Sequence, residues 1–234
     1  MEDIIHHQSS QFDEELGRLR SNVLKMGGLV ENQVAQATEA YRYCDVSLAN
    51  SIVARDKDVN ALEKEIDDDC AHVIARRQPT ASDLRLVFGI IKIVTDLERI
   101  GDEAKKFAKG IRRVCESGQA PVQIAPGIRH LGDTVAVMVR EALDAFARLD
   151  VRQGEKVIND DTNVDIEFKA IVRQLMTYMM EDPRTITTAM DIILIARAIE
   201  RIGDHAKNVA EQVVFIVEGR DIRHLGKGAL EGEA

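Results

Sequence analysis

The residues best placed to do chemistry form a carboxylate pair that occurs twice. Glu98-Arg99-Ile100-Gly101-Asp102 returns as Glu200-Arg201-Ile202-Gly203-Asp204, and Ala104-Lys105 after the first copy matches Ala206-Lys207 after the second. On a helix, positions four and seven apart share a face. Glu98, Asp102 and Lys105 therefore line one edge, and Glu200, Asp204 and Lys207 line another. Two carboxylates at that spacing repel by roughly 0.2–0.5 kcal/mol, and a mid-helix glycine costs roughly 0.5–1 kcal/mol relative to alanine. Both copies keep this unfavourable arrangement, so something offsets it.

A bound cation is one answer. Upstream, Asp56 and Asn60 stand four apart, as do Asp161 and Asp165 at a similar offset in the second copy. Should adjacent helices bring these faces together, Asp56, Glu98 and Asp102 would form one oxygen-rich site and Asp161, Asp165, Glu200 and Asp204 a second. Such donors suit hard cations such as Mg²⁺ or Mn²⁺, and carboxylates also bind iron. Asn60 in place of an acid weakens the first site. Glycine offers another answer, since it lets a neighbouring helix come close. A third is an ion-paired packing face, because arginine follows each glutamate and a lysine sits close by.

Other candidates carry less. Asp69 and His72 are spaced like half of a di-metal motif, but no second copy exists, and a solvated face accounts for them. His6 and His7 read as a surface pair, and His130, His205 and His224 are isolated, although His205 follows Asp204 and could neighbour a metal. Met176-Thr177-Tyr178-Met179-Met180 reads as helix core, or as an adaptable contact surface if exposed. Arg76, Arg77 and Arg85 form a local cationic group that could meet an anion. No nucleophile elbow, P-loop or dinucleotide-binding glycine pattern occurs, so nothing assembles a catalytic site.

These faces need helices to carry them. Apolar residues recur at three- and four-residue steps, predicting helices over about 10–43, 46–77, 82–114, 128–150, 151–181 and 186–218. Pro79 and Pro183 break the pattern at matching places, and Ser82 or Asp83 is the expected cap of the third helix. The duplicated motif makes the chain a repeated helical unit, so the fold class is all-α. The boundaries are 1–117 for the first half, 118–127 for a Pro- and Gly-bearing linker, 128–218 for the second half and 219–234 for a loose tail.

Composition agrees. With 4% aromatic residues, no Trp and four prolines in 234 residues, the core must be built from aliphatics with few breaks. The formal charge of −9 disfavours nucleic acid and anionic lipid and favours cations or basic protein surfaces. Cys44, Cys70 and Cys115 lie far apart with no CxxC spacing, which reads as reduced thiols of a cytosolic protein. The segment Met1-Glu2-Asp3-Ile4-Ile5 lacks the basic-then-apolar order of a signal peptide, and the most apolar stretch, 190–199, is interrupted by Asp191 and Arg197. A cytoplasmic location is expected.

Several segments resemble the PhoU family of phosphate-transport regulators. They are Arg77-Gln78-Pro79-Thr80-Ala81-Ser82-Asp83-Leu84-Arg85, Asp96-Leu97-Glu98-Arg99-Ile100-Gly101-Asp102, the run from Arg173 to Asp182, and Glu200-Arg201-Ile202-Gly203-Asp204-His205-Ala206. Met26-Gly27-Gly28 and Asp144-Ala145-Phe146-Ala147-Arg148 fit as well. The resemblance implies two tandem, pseudo-symmetric three-helix bundles made of six long helices, a homodimer and no catalytic activity. It also implies damping of the phosphate-starvation response, as an adaptor between the ATPase subunit of the phosphate ABC transporter and a sensor histidine kinase. Membrane contact would then come only through those partners. Metal clusters go with an acidic E/D-x-x-x-D pattern in the family, and here it falls on Glu98/Asp102, Glu200/Asp204 and Asp161/Asp165, with Asp56/Asn60 an imperfect copy.

Overall fold

Each apolar stripe becomes the buried side of a helix. Leu19, Val23, Met26, Val30, Val34 and Ala37 are almost fully buried along α1 (Glu2–Tyr43). The chain continues through α2 (Val46–Arg77), α3 (Ala81–Glu116), α4 (Gly127–Arg148), α5 (Val151–Glu181), a short 3₁₀ turn (Pro183–Thr185) and α6 (Ile186–Glu218). This computed structural model describes residues 2–116 and 125–222, and only the backbone of residues 2–10. The expected linker residues up to Ile124, most of the expected tail, and the readings for His6, His7 and His224 lie outside the described residues. Of the linker, Ala125 is buried and its carbonyl accepts the Tyr41 hydroxyl at 3.2 Å. Of the tail, Ile222 is buried rather than loose.

The duplication extends to the turns. Cys44 and Leu149 both take left-handed backbone (φ 55° and 53°), and each is followed by an aspartate that caps the next helix. Asp45 accepts the Leu48 N–H at 2.9 Å and Asp150 the Gln153 N–H at 3.2 Å. These side chains satisfy donors that a helix start leaves orphaned. The third helix begins at Ala81, so Ser82 and Asp83 lie in its first turn rather than at its cap. Thr80 precedes it instead, with its hydroxyl donating to Asp83 at 3.1 Å.

Helices α1, α2 and α3 pack on one another, as do α4, α5 and α6. The two sets join along α3 with α6 and α1 with α4, over one continuous aliphatic core. Glycine serves close approach here, at the seam. The Ile216 side chain occupies the space where a Gly89 side chain would begin, and Ile195 does the same at Gly110. This antiparallel register brings the two carboxylate motifs to the same level at the middle of α3 and α6. Leu143 and Thr38 fill the corresponding spaces over Gly27 and Gly132 between α1 and α4.

One cysteine reading is corrected. Cys44 and Cys115 form a disulfide with Cα atoms 5.7 Å apart, while Cys70 is free and buried. The partners are 71 residues apart, at the ends of α1 and α3. Only the packing of those helices reveals the pair. No described helix is long and apolar enough to cross a membrane.

Candidate functional site

Folding brings the acidic residues of α2 onto those of α3, and those of α5 onto those of α6. In the first half Asp56, only 4% exposed, accepts a hydrogen bond from Lys105 Nζ at 2.5 Å, and the same ammonium lies 3.5 Å from Asp102. Oxygens of three neighbouring polar side chains are buried without a donor: Asp56 Oδ1, Asn60 Oδ1 and Gln33 Oε1. Gln33 reaches in from α1, and two of these oxygens stand over Gly101, 3.4 Å (Gln33) and 3.9 Å (Asp56) from where a Cβ would be. Burial, and then the charges of Asp102, Glu63 and Asp56, hold the Glu98 carboxyl above its ordinary pKa.

The second half repeats the plan with different neighbours. Asp161 is buried and accepts from Lys207 Nζ at 3.0 Å. Glu200, 7% exposed, is held by Arg197 at 2.6 Å through one oxygen, while its Oε2 is buried without a partner. Asp165 pairs with Lys169 at 3.7 Å. Burial, followed by Asp204, raises the Glu200 pKa, and burial, followed by Asp161, raises that of Asp204. Burial works against the charge of Lys207, but the bond to Asp161 and the acids around it raise its pKa overall. Val135 and Val164, not an amide, stand over Gly203.

Hard oxygens in excess of their donors are the right chemistry for Mg²⁺, Mn²⁺ or iron. The central place in each face is nonetheless taken by an ammonium group. Among the described residues no three His, Cys, Asp or Glu side chains converge as a ready-made metal site. A cation would have to take the place of the lysine on Asp56 or Asp161.

The other candidates are engaged elsewhere. Asp69 pairs with Arg18 at 3.0 Å, and the exposed His72 ring sits 2.8 Å from the Asp68 carbonyl, so this is a solvated face. His205 does not attend the acidic cluster beside Asp204. Its Nδ1 lies 2.8 Å from Asp96 Oδ1 across the seam, and Asn208 donates to the same oxygen at 3.0 Å. His130 lies 3.3 Å from Glu167. Arg77 grips Glu15 through two bonds while Arg85 lies against Gly219, so these arginines turn to different helices. Tyr178 and Met179 pack against the core as expected, while Met176 and Met180 are 52% and 85% exposed, so the reading of the run as core holds for part of it only.

Sequence reasoning missed Gln33, Glu63 and the bridge from Glu103 to Arg201 at 3.3 Å across the seam. Gln33 sits on the buried stripe of α1 beside Val34, and a buried amide in an aliphatic stripe was the available signal. Nothing local could announce Glu103.

Both halves of the chain match one family description, the PhoU domain, over residues 23–111 and 128–213. The chain belongs to the PhoU family. A Pseudomonas putida relative named phosphate-specific transport system accessory protein PhoU homolog is 47% identical, over 99% of this chain and 90% of its own length. The crystal structure of PhoU from Pseudomonas aeruginosa superposes with a TM-score of 0.85 at 48% identity, covering 89% of this chain and all of that one. That of the phosphate transport system regulatory protein PhoU from Streptococcus pneumoniae gives 0.83 at 27% identity, over 90% of this chain and 98% of its own.

Proposed function

We propose that this PhoU-family protein is a regulator of phosphate uptake that works by contact rather than by catalysis. The observation that carries the reading is near-complete coverage: a relative named as a phosphate-specific transport accessory protein aligns over 99% of the chain. In finer detail, the protein is a cytoplasmic negative regulator of the phosphate-starvation response. It links the transporter's ATPase subunit to the sensor histidine kinase, binding one kinase conformation in preference to another when phosphate is ample. A homodimer is the proposed working form.

The Cys44–Cys115 bridge pulls against the cytoplasmic placement, since thiols there are mostly kept reduced. Maleimide labelling of lysates before and after reductant decides whether it is closed in the cell. A phosphate-responsive promoter reporter in a deletion strain grown with ample phosphate tests the regulatory reading. The promoter should turn on and be silenced again by the wild-type chain. A promoter that stays off in the deletion strain sinks the proposal.

A second reading, favoured by the orphaned oxygens of Asp56 and Glu200, is that the acidic faces take a divalent cation. Asp56, Glu98 and Asp102 would hold it in one half, and Asp161, Asp165, Glu200 and Asp204 in the other. The ion would supply charge neutralisation and rigidity where carboxylates now repel. Calorimetric titration with Mn²⁺ against the Asp56→Asn/Asp161→Asn variant tests it, and equal binding by both proteins would refute it.

A further inference from the structure

One end of the α3–α6 seam carries a groove of about 350 Å³ that the acidic faces do not explain. Five cations surround it: Lys106, Lys109 and Arg113 from α3, and Arg197 and Arg201 from α6. All five are exposed. Glu103 is the one acid in the lining, and it is already engaged by Lys106 at 2.8 Å and Arg201 at 3.3 Å. Arg113 and Arg197 each reach an outer acid, Asp191 and Glu200. Lys109 makes no ion pair among the described residues. Five positive charges thus face three carboxylates on a chain whose formal charge is −9.

The duplication supplies its own control. The motif offset of 102 residues, from Glu98 to Glu200, places an equivalent surface at the other end of the same seam, since Lys92, Arg99, Lys106 and Arg113 share one face of α3 at seven-residue steps, as Leu194, Arg201, Asn208 and Phe215 do on α6. There Asn208 stands for Lys106, Glu211 for Lys109, Phe215 for Arg113, Thr95 for Arg197 and Asp96 for Ala198. That surface satisfies itself: His205 and Asn208 bind Asp96, and the Lys92 ammonium covers the Phe215 ring at 5.2 Å. Packing α3 on α6 therefore does not require a cationic groove. Only one of two equivalent positions has one.

The occupant is constrained by shape. Residues 106, 109 and 113 spread their charges along about 10 Å of helix, too far for one small anion to meet. The groove also contains Leu194, 56% exposed over buried Ala198. Met190 and Ile186, at successive four-residue steps, are 48% and 45% exposed and extend the apolar track along α6. Charge and grease in parallel rows suit an amphipathic peptide.

We propose that this groove docks an acidic amphipathic segment of a partner protein. An apolar side chain rests on Leu194, and carboxylates meet Lys106, Lys109 and Arg201. The biological sense of such a site rests on the adaptor reading above; its charge and shape do not. The test uses the full chain and a fluorescein-labelled glutamate-rich peptide with leucines at i and i+4, followed by anisotropy. Binding should weaken about tenfold in Lys106→Gln/Lys109→Gln and in Leu194→Gln, and should fall with added salt. The Lys92→Gln/Arg99→Gln protein, which loses the same charge at the other end of the seam, should bind like wild type.

Equal loss in both double variants, or no loss in either, overturns the site. Displacement of the peptide by inorganic phosphate, but not by chloride at matched ionic strength, makes it a small-anion site and also overturns the proposal. So does binding of phosphatidylglycerol vesicles at the same residues in preference to the peptide. If Lys106→Gln/Lys109→Gln fails to fold, Leu194→Gln carries the test. A failed peptide experiment with a reporter still silenced by wild type rejects the groove alone. A reporter that stays off in the deletion strain rejects the regulatory reading alone.

Discussion

The two acidic faces descend from one plan and have drifted in opposite directions. The first keeps a carboxylate paired to lysine but surrounds it with amides, Gln33 and Asn60, whose oxygens lack donors. The second surrounds the same pair with acids and valine, and draws in Arg197 and Lys169 as counter-charges. What both retain is the lysine seated on a buried aspartate. Both also keep the repeated Glu and Asp of the motif, and the halves differ at Asn60 against Asp165 and in the side chains that neighbouring helices bring to each face. The first half differs in a second respect, because it alone carries a disulfide across its helix ends.

The bridge gives the largest contrast. Closing a 71-residue separation limits the unfolded chain by about 4 kcal/mol in the loop-entropy picture. Cys115→Ser should therefore lower the denaturant midpoint markedly, and hydrogen exchange should rise mainly in α1 and α3. Exchange rising equally in α4 and α6 would mean the halves do not open separately.

Next come the lysines. Lys105→Met and Lys207→Met each leave a buried aspartate without its cation, at about 3 kcal/mol, the low end for breaking a buried pair because both ammonium groups are partly exposed. Adding Mn²⁺ should recover more of the melting temperature in these variants than in wild type, since the ion then meets an aspartate no longer covered by an ammonium. If Mn²⁺ helps neither variant, the faces are ion-paired packing surfaces and nothing more.

Acidity should separate the halves more gently. Glu98, Glu200 and Asp204 bind protons more tightly in the folded chain than an ordinary carboxylate does. Between the ordinary and the raised values the folded state carries the extra protons. Stability therefore falls as pH rises through that window and stays lower above it. Asp204→Asn with Glu200→Gln should flatten this slope of melting temperature against pH more than Glu98→Gln does, because the first change removes two such groups and the second removes one and leaves Glu63, whose pKa burial also raises.

The smallest effect concerns the motif glycines. At Gly101 a methyl group meets nothing nearer than 3.4 Å, whereas at Gly203 it meets Val164 at 3.3 Å. Gly101→Ala should stabilise by up to about 1 kcal/mol from helix propensity, while Gly203→Ala should be close to neutral. Thermal unfolding of the pair measures the difference. Loss of stability at Gly101 would show that its bare backbone is needed for close packing after all.

Much of this was legible in advance. The apolar period marked six helices to within a few residues, except that α1 starts well before residue 10, because periodicity reports the buried face directly. The repeated motif marked the acidic faces, since carboxylates at i and i+4 must share a side whatever surrounds them. The reading failed wherever a partner came from far along the chain. The expectation that Gly101 and Gly203 serve close approach holds only weakly, with neighbours at 3.4 Å and 3.3 Å, whereas a side chain occupies the Cβ space at Gly89 and Gly110 between α3 and α6 and at Gly27 and Gly132 between α1 and α4.

By itself, then, the sequence determined the helices, the duplication and the family, all of which rest on local periodicity and on order along the chain. Only the tertiary structure decided that lysines sit on the aspartates, that Cys44 meets Cys115, that His205 turns to Asp96, and that cations gather at one end of the seam. Each of those depends on the antiparallel register of α3 against α6 or on how α1 and α2 pack against α3. A register between helices is fixed by which side chains fill which spaces, and no local pattern encodes it.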